Sequence, residues 1–149
     1  PHEQISAHMT TNVVGLTYVS QLYVQHLHRT DHRGVLINIS SGAARGGYYG
    51  WTSYCASKAA VDNFTRALAL EEEDRLRAYS VAPGVIDTAM QEQVQSCTKQ
   101  QFPMVDKFHT LKANDDFNSP AFVAEKLLEL AFGTEQTTEI LLRLPNEKA

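Results

Sequence analysis

The stretch 41-SGAARGGYYGWTSYCASK-58 changes character halfway along, and that change decides how the chain is read. Residues 41–51 are glycines, small residues and the aromatics Tyr48, Tyr49 and Trp51, a composition that suits a loop. From 52 to 72 the sequence TSYCASKAAVDNFTRALALEE is rich in Ala and Leu, which favour helix, and spaces Ala60, Phe64, Ala67 and Leu68 for one buried face. Immediately upstream, GVLINIS (34–40) is short, rich in Val, Ile and Leu, and preceded by the turn-like DHRG. That is the pattern of a strand buried on both faces. Strand, Gly-rich loop and helix follow one another without a break.

The rest of the chain continues the rhythm. Ile5, Met9, Val13, Leu16, Leu22 and Leu27 recur at helical intervals, so residues 2–28 read as one long amphipathic helix. LRAYSVAPG (76–84) reads as a strand stopped by Pro83-Gly84. A Gln-rich segment, 91–101, has no clear order. NSPAFVAEKLLELAFG (118–133) carries Ser119 as helix N-cap, Pro120 at the first helical position and Gly133 as stop, and EILLRL (139–144) is a last strand. Helix and strand alternate three times, the signature of βαβ units. Right-handed crossovers then predict three parallel strands with flanking helices, an α/β fold.

Bulk properties bound the function. With 149 residues, 43% of them hydrophobic and 20% charged, the chain has the composition of one globular domain. A net charge of -4 with no Lys/Arg cluster argues against a nucleic-acid partner. Cys55 and Cys97 are too few and too isolated for a disulfide framework, which sets a reducing, cytoplasmic location as the expectation. No apolar run is long enough to span a membrane. The six histidines include an HLH at 26–28 but no HExxH, so no metal site is expected and the histidines read as solvated helix ends. EEED (71–74), beside Arg75 and Arg77, reads as a surface charge run.

The chemistry lies in the opening stretch. A free phenol titrates near pH 10 and relays protons poorly at neutrality unless a nearby positive charge stabilises the phenolate. Tyr54 and Lys58, four residues apart on one helix, share a face, and that helix begins just after the carboxyl end of a strand, where ligands of open α/β sheets collect. Ser41, at the end of the strand, is placed to hydrogen-bond a substrate oxygen there.

Ser41, twelve intervening residues and then YCASK resemble the active-site motif of the short-chain dehydrogenases/reductases. NVVG (12–15), INISS (37–41) and PGVIDT (83–88) agree in order and spacing, and the wording around them looks most like benzil-reductase-like and sepiapterin-reductase-like carbonyl reductases of fungi. The resemblance implies the C-terminal portion of a Rossmann-type doubly wound sheet. It implies Tyr54 as general acid, Lys58 as its charged partner and as a grip on the nicotinamide ribose, and Ser41 as the group that polarises the carbonyl. It further implies that Asn12, through a bend in its helix and a bound water, links Lys58 to a proton relay. Pro83, Gly84, Ile86 and Thr88 would meet the dinucleotide, NADP with NAD as the alternative. Tyr48, Tyr49, Trp51, Met90 and Phe102 or Met104 are candidates for an apolar substrate wall.

One departure matters. The family's opening strand, Gly-rich turn and pyrophosphate-binding helix are not in this sequence, and GAARGGYYG (42–50) is the active-site loop rather than their replacement. Residues 1–149 therefore read as one partial NAD(P)-binding domain without its N-terminal dinucleotide-binding half, incomplete as an enzyme. Two function classes follow: a carbonyl reductase acting on a small-molecule ketone or diketone, or a non-catalytic homologue serving as an interaction module. Either would associate as a homodimer or homotetramer through helices 2–28 and 52–72, as the resemblance implies.

Overall fold

The computed structural model describes residues 2–86, 88–134 and 137–148. Its centre is a three-stranded parallel sheet, β1 (Gly34–Ile39), β2 (Leu76–Ala82) and β3 (Leu141–Arg143), in the spatial order β1-β2-β3. Gly34 pairs with Leu76 and Ile39 with Val81, while Ser80 pairs with Leu141. The α/β class and the parallel topology expected from the alternation are both present.

Side-chain alternation along the strands assigns the two faces. Leu36, Asn38, Leu76, Ala78 and Ser80 point to the face covered by α2 (Leu16–Thr30) and α3 (Thr52–Glu71). There Leu27, Leu68, Leu76 and Ala78 form a buried apolar cluster with Tyr23, Val24 and Phe64 packed on it. Arg77 and Tyr79 point the other way and donate to the carbonyls of Ala131 and Thr137, one at the end of α6 (Pro120–Phe132) and one beyond it.

Four sequence expectations are corrected. Helix α3 buries Ser57, Val61, Asp62, Thr65 and Leu68, and Ala67 is exposed. Its buried face is set by polar bonds to the sheet: Asn38 donates to Thr65 at 3.0 Å and Ser80 donates to Asp62 at 2.7 Å. Apolar spacing alone picks out Phe64 and Leu68 on this side but not the polar residues that complete the buried face. Strand β1 is not buried on both faces, because it stands at the sheet edge; Val35, Leu36 and Ile37 are half-buried and Ile39 is exposed. Residues 2–28 are not uniformly α-helical, since a π-helical segment, Thr10–Gly15, separates α1 (His2–Met9) from α2. The Gln-rich segment is ordered: α4 (Ala89–Gln95) buries Gln91 and Val94, and glutamine's good helix propensity accounts for it. Helix α5 (Val105–Ala113), not expected from the sequence, follows, and its Val105 and Phe108 close an apolar cluster with Val94 and Phe102.

Helix α6 begins as its sequence dictates. Ser119 accepts from the Phe122 N–H at 3.1 Å, with Pro120 at the first position. Among the described residues no helix is long and apolar enough to cross a membrane.

Leu68→Ala removes a side chain that is 5% exposed from the main cluster. The expected cost is about 2–5 kcal/mol, read as a lower urea midpoint with an unchanged slope.

Candidate active site

The carboxyl ends of all three strands open into one cleft of about 360 Å³. Ile39 to Ala43 follow β1, Ala82 to Ile86 follow β2, and Arg143 and Asn146 close the β3 side. This is where ligands of open parallel sheets bind. Ser41, Tyr54, Lys58, Pro83, Gly84, Ile86 and Thr88 all line it.

The polar groups are held in specific ways. Lys58 Nζ donates to the carbonyl of Ile39 at 2.9 Å and lies 5.7 Å from the centre of the Tyr54 ring. Burial pushes the lysine pKa below its ordinary 10.5, and the negative charge of Asp62, one turn further along α3, partly opposes that. Asp62 is itself fixed by Ser80 and has the guanidinium of Arg45, from the active-site loop, 3.8 Å away. Ser41 caps the short 3₁₀ turn Gly42–Ala44: its Oγ accepts from the Ala43 N–H at 3.2 Å, which leaves its own O–H to point elsewhere. The Tyr54 ring meets Trp51 edge-on at 5.5 Å, and the His8 ring centre lies 6.2 Å away.

Asn12 is not among the residues that line the cleft. It sits in the π-helical segment, so the expected irregularity of its helix is there, but its amide contacts His8 at 3.1 and 3.3 Å. Of the aromatic candidates, Tyr48, Trp51 and Met90 line the cleft. Tyr49 is exposed and does not. Phe102 stacks behind Trp51 at 5.1 Å and an interplanar angle of 7°, and Met104 packs with it, so both support the wall from outside. Phe108, Leu111 and Lys107 of α5 take places that the sequence did not assign, with Lys107 Nζ over the Tyr48 ring. The signals that could have marked their helix are Asp106 in its first turn, Lys112 in its last and Asn114 as its C-cap.

Asn118 is a further residue to which the sequence assigns no role. Fully buried, it donates to the carbonyls of Pro83 at 2.9 Å and Pro145 at 3.1 Å and accepts from the Glu147 N–H at 2.8 Å. It ties the turn after β2 to the chain beyond β3. Gly84 in that turn has φ +81°, and a Cβ there would lie 2.8 Å from the Asn118 amide. Only glycine fits. Among the described residues no three His, Cys, Asp or Glu side chains group as metal ligands.

A three-stranded parallel sheet with flanking helices and a cleft at its carboxyl edge is the architecture of a Rossmann-type α/β fold. The chain belongs to the short chain dehydrogenase family, which it matches over residues 1–99. It is 35% identical over 131 residues to benzil reductase ((S)-benzoin forming) of Bacillus subtilis, an alignment covering 86% of this chain and 54% of that protein. It is 39% identical over 102 residues to sepiapterin reductase of Xenopus laevis, covering 68% of this chain and 38% of the other. The crystal structure of a short-chain dehydrogenase/reductase from Saccharomyces cerevisiae superposes with a TM-score of 0.81 at 24% identity, over 96% of this chain and 57% of that one. The chain thus spans about half the length of the Bacillus reductase it matches.

Two outcomes are expected. Gly84→Ala strains a positive-φ position by about 1–3 kcal/mol, measurable as a lowered unfolding midpoint. Lys58 has a folded pKa below its unfolded 10.5, so the unfolded state holds more protons in the window just below 10.5 and stability rises with pH there. Relative to Lys58→Met, the native protein should therefore gain stability as pH climbs from neutrality toward 10.5, measured by urea midpoints at stepped pH.

Proposed function

We propose that the protein carrying these residues is an NAD(P)-dependent carbonyl reductase acting on a ketone or diketone, with Ser41, Tyr54 and Lys58 as catalytic residues. The observation that carries this is the placing of a half-buried ammonium, anchored to the Ile39 carbonyl, 5.7 Å from the Tyr54 ring in the cleft that Ser41 also lines. The 149 residues are then one part of a single NAD(P)-binding domain, and the complete protein performs the reaction.

The nicotinamide side of the coenzyme fits what is present. The Pro83–Ile86 turn is kept tight by Gly84 and Asn118, and one Lys58 N–H is spent on Ile39, leaving two for ribose hydroxyls. Pro83, Gly84, Ile86 and Thr88 are the residues assigned to hold it. When bound, the reduced coenzyme supplies the hydride that reaches the carbonyl carbon. The remaining steps belong to the protein. Ser41, whose Oγ already accepts from Ala43, offers its O–H to the carbonyl oxygen and polarises it. As negative charge builds on that oxygen, the Tyr54 hydroxyl gives up its proton and the alcohol forms. The phenolate left behind is stabilised by the Lys58 ammonium. Tyr48, Trp51, Met90, Phe108 and Leu111 supply an apolar wall suited to a hydrophobic carbonyl compound. Likeness to benzil and sepiapterin reductases supports the same substrate class.

Association through α1–α2 and α3 belongs to the same proposal. Val14, Tyr18, Val19, Leu22 and Leu70 are large apolar side chains left exposed on these helices.

The deciding experiment is coenzyme-dependent turnover of a diketone panel by the full-length protein, with NADPH expected to serve better than NADH. Tyr54→Phe should lower kcat by at least about a hundredfold while circular dichroism is unchanged. Retained activity in that variant would remove Tyr54 from the reaction. Absence of turnover with any carbonyl and either coenzyme favours the interaction module instead.

A further inference from the structure

The sequence gives His8 no role, yet the fold brings it from α1 to the first turns of α3. It is half-buried, its ring flanks Tyr54, and its Nε2 lies 3.1 Å from Ser57 Oγ. Among the described residues this is the one side-chain hydrogen bond joining α1 to α3. The proton positions along it can be worked out. Ser57 Oγ lies 2.9 Å from the carbonyl of Tyr54, and a carbonyl only accepts, so the single hydroxyl proton of Ser57 is spent there. Ser57 can then engage His8 only as an acceptor, which requires a proton on His8 Nε2. The Asn12 amide nitrogen lies against the same ring, 3.1 Å from Nε2 and 3.3 Å from Nδ1, so it favours neither tautomer and Ser57 alone sets the choice. The donors run one way: His8 to Ser57, and Ser57 to the backbone of Tyr54.

The first turn of α3 needs such an anchor. Its N-cap residue is Trp51, whose side chain makes no capping bond. The turn that presents the reactive hydroxyl is thus held through Ser57 rather than by a cap.

We propose that His8 is a positioning residue of the reductase site: as the Nε2–H tautomer it couples α1, through Ser57, to the turn that carries Tyr54. This rests on the reductase reading of the cleft. The requirement at position 8 is a side chain that donates to Ser57 Oγ. Gln meets it; Leu does not.

The test uses the full-length protein. His8→Leu should lower kcat for carbonyl reduction by about ten- to a hundredfold, the effect of a small misplacement of a reacting group, with KM changed by no more than about twofold. His8→Gln should restore most of the loss. Because His8 acts through Ser57, the double variant His8→Leu/Ser57→Ala should be no slower than Ser57→Ala alone. Nitrogen-15 spectra of the wild-type histidines should show His8 as the Nε2–H tautomer, and amide exchange over 52–58 should quicken in His8→Leu but not in His8→Gln. An unaffected kcat in His8→Leu, no rescue by Gln, multiplicative losses in the double variant, or an Nδ1–H tautomer would each overturn the proposal. If the wild-type protein reduces no carbonyl, the reductase reading fails, while the tautomer and exchange measurements still decide whether the tether exists.

Discussion

The arrangement of the cleft depends on one hydrogen bond, from the Lys58 ammonium to the carbonyl of Ile39. A lysine brought partly out of water loses hydration that must be replaced by something fixed and negative in character. Here the replacement is the last carbonyl of β1, with the buried Asp62 carboxylate adding its field from the next turn. The bond does two things at once. It keeps a positive charge near the phenol, and it joins the helix that carries Tyr54 to the strand that ends beside Ser41. Ser41, Tyr54 and Lys58 are thereby referred to a common frame, although a glycine-rich loop separates the first from the other two.

That frame was legible in the sequence to the extent that local chemistry determined it. The α6 cap at Ser119-Pro120, the three parallel strands and the convergence of Ser41, Tyr54 and Lys58 follow from residue type and spacing. So does the need for Gly84, although the partner that makes glycine obligatory there, Asn118, is distant in sequence. What spacing could not show is the polar part of the α3 face that meets the sheet. The buried residues are largely Ser, Thr and Asp, which periodicity analysis scores as solvent-facing, and their partners Asn38 and Ser80 lie on separate strands.

The two helices beside Trp51 were hidden for a different reason. Helices α4 and α5 are short, and helix propensity is joined by the apolar cluster of Val94, Phe102, Val105 and Phe108, on which Trp51 packs. Trp51 stacks on Phe102 on one side and Tyr48 on the other, with Phe108 at 5.8 Å. Tyr48 and Trp51 thus line the cleft and also form the surface on which these helices pack. His8 escaped notice similarly: nothing at position 8 marks it, and only tertiary structure brings it to Ser57.

The polar contacts between α3 and the sheet have a consequence for redesign. An apolar seam tolerates small slips in register, since one methyl packs nearly as well as another; bonds with direction do not. Asn38, Thr65, Asp62 and Ser80 therefore act as an indexing key, and a graft of the catalytic helix onto a foreign scaffold would have to carry all four, or the transplanted phenol would arrive beside the wrong strand end.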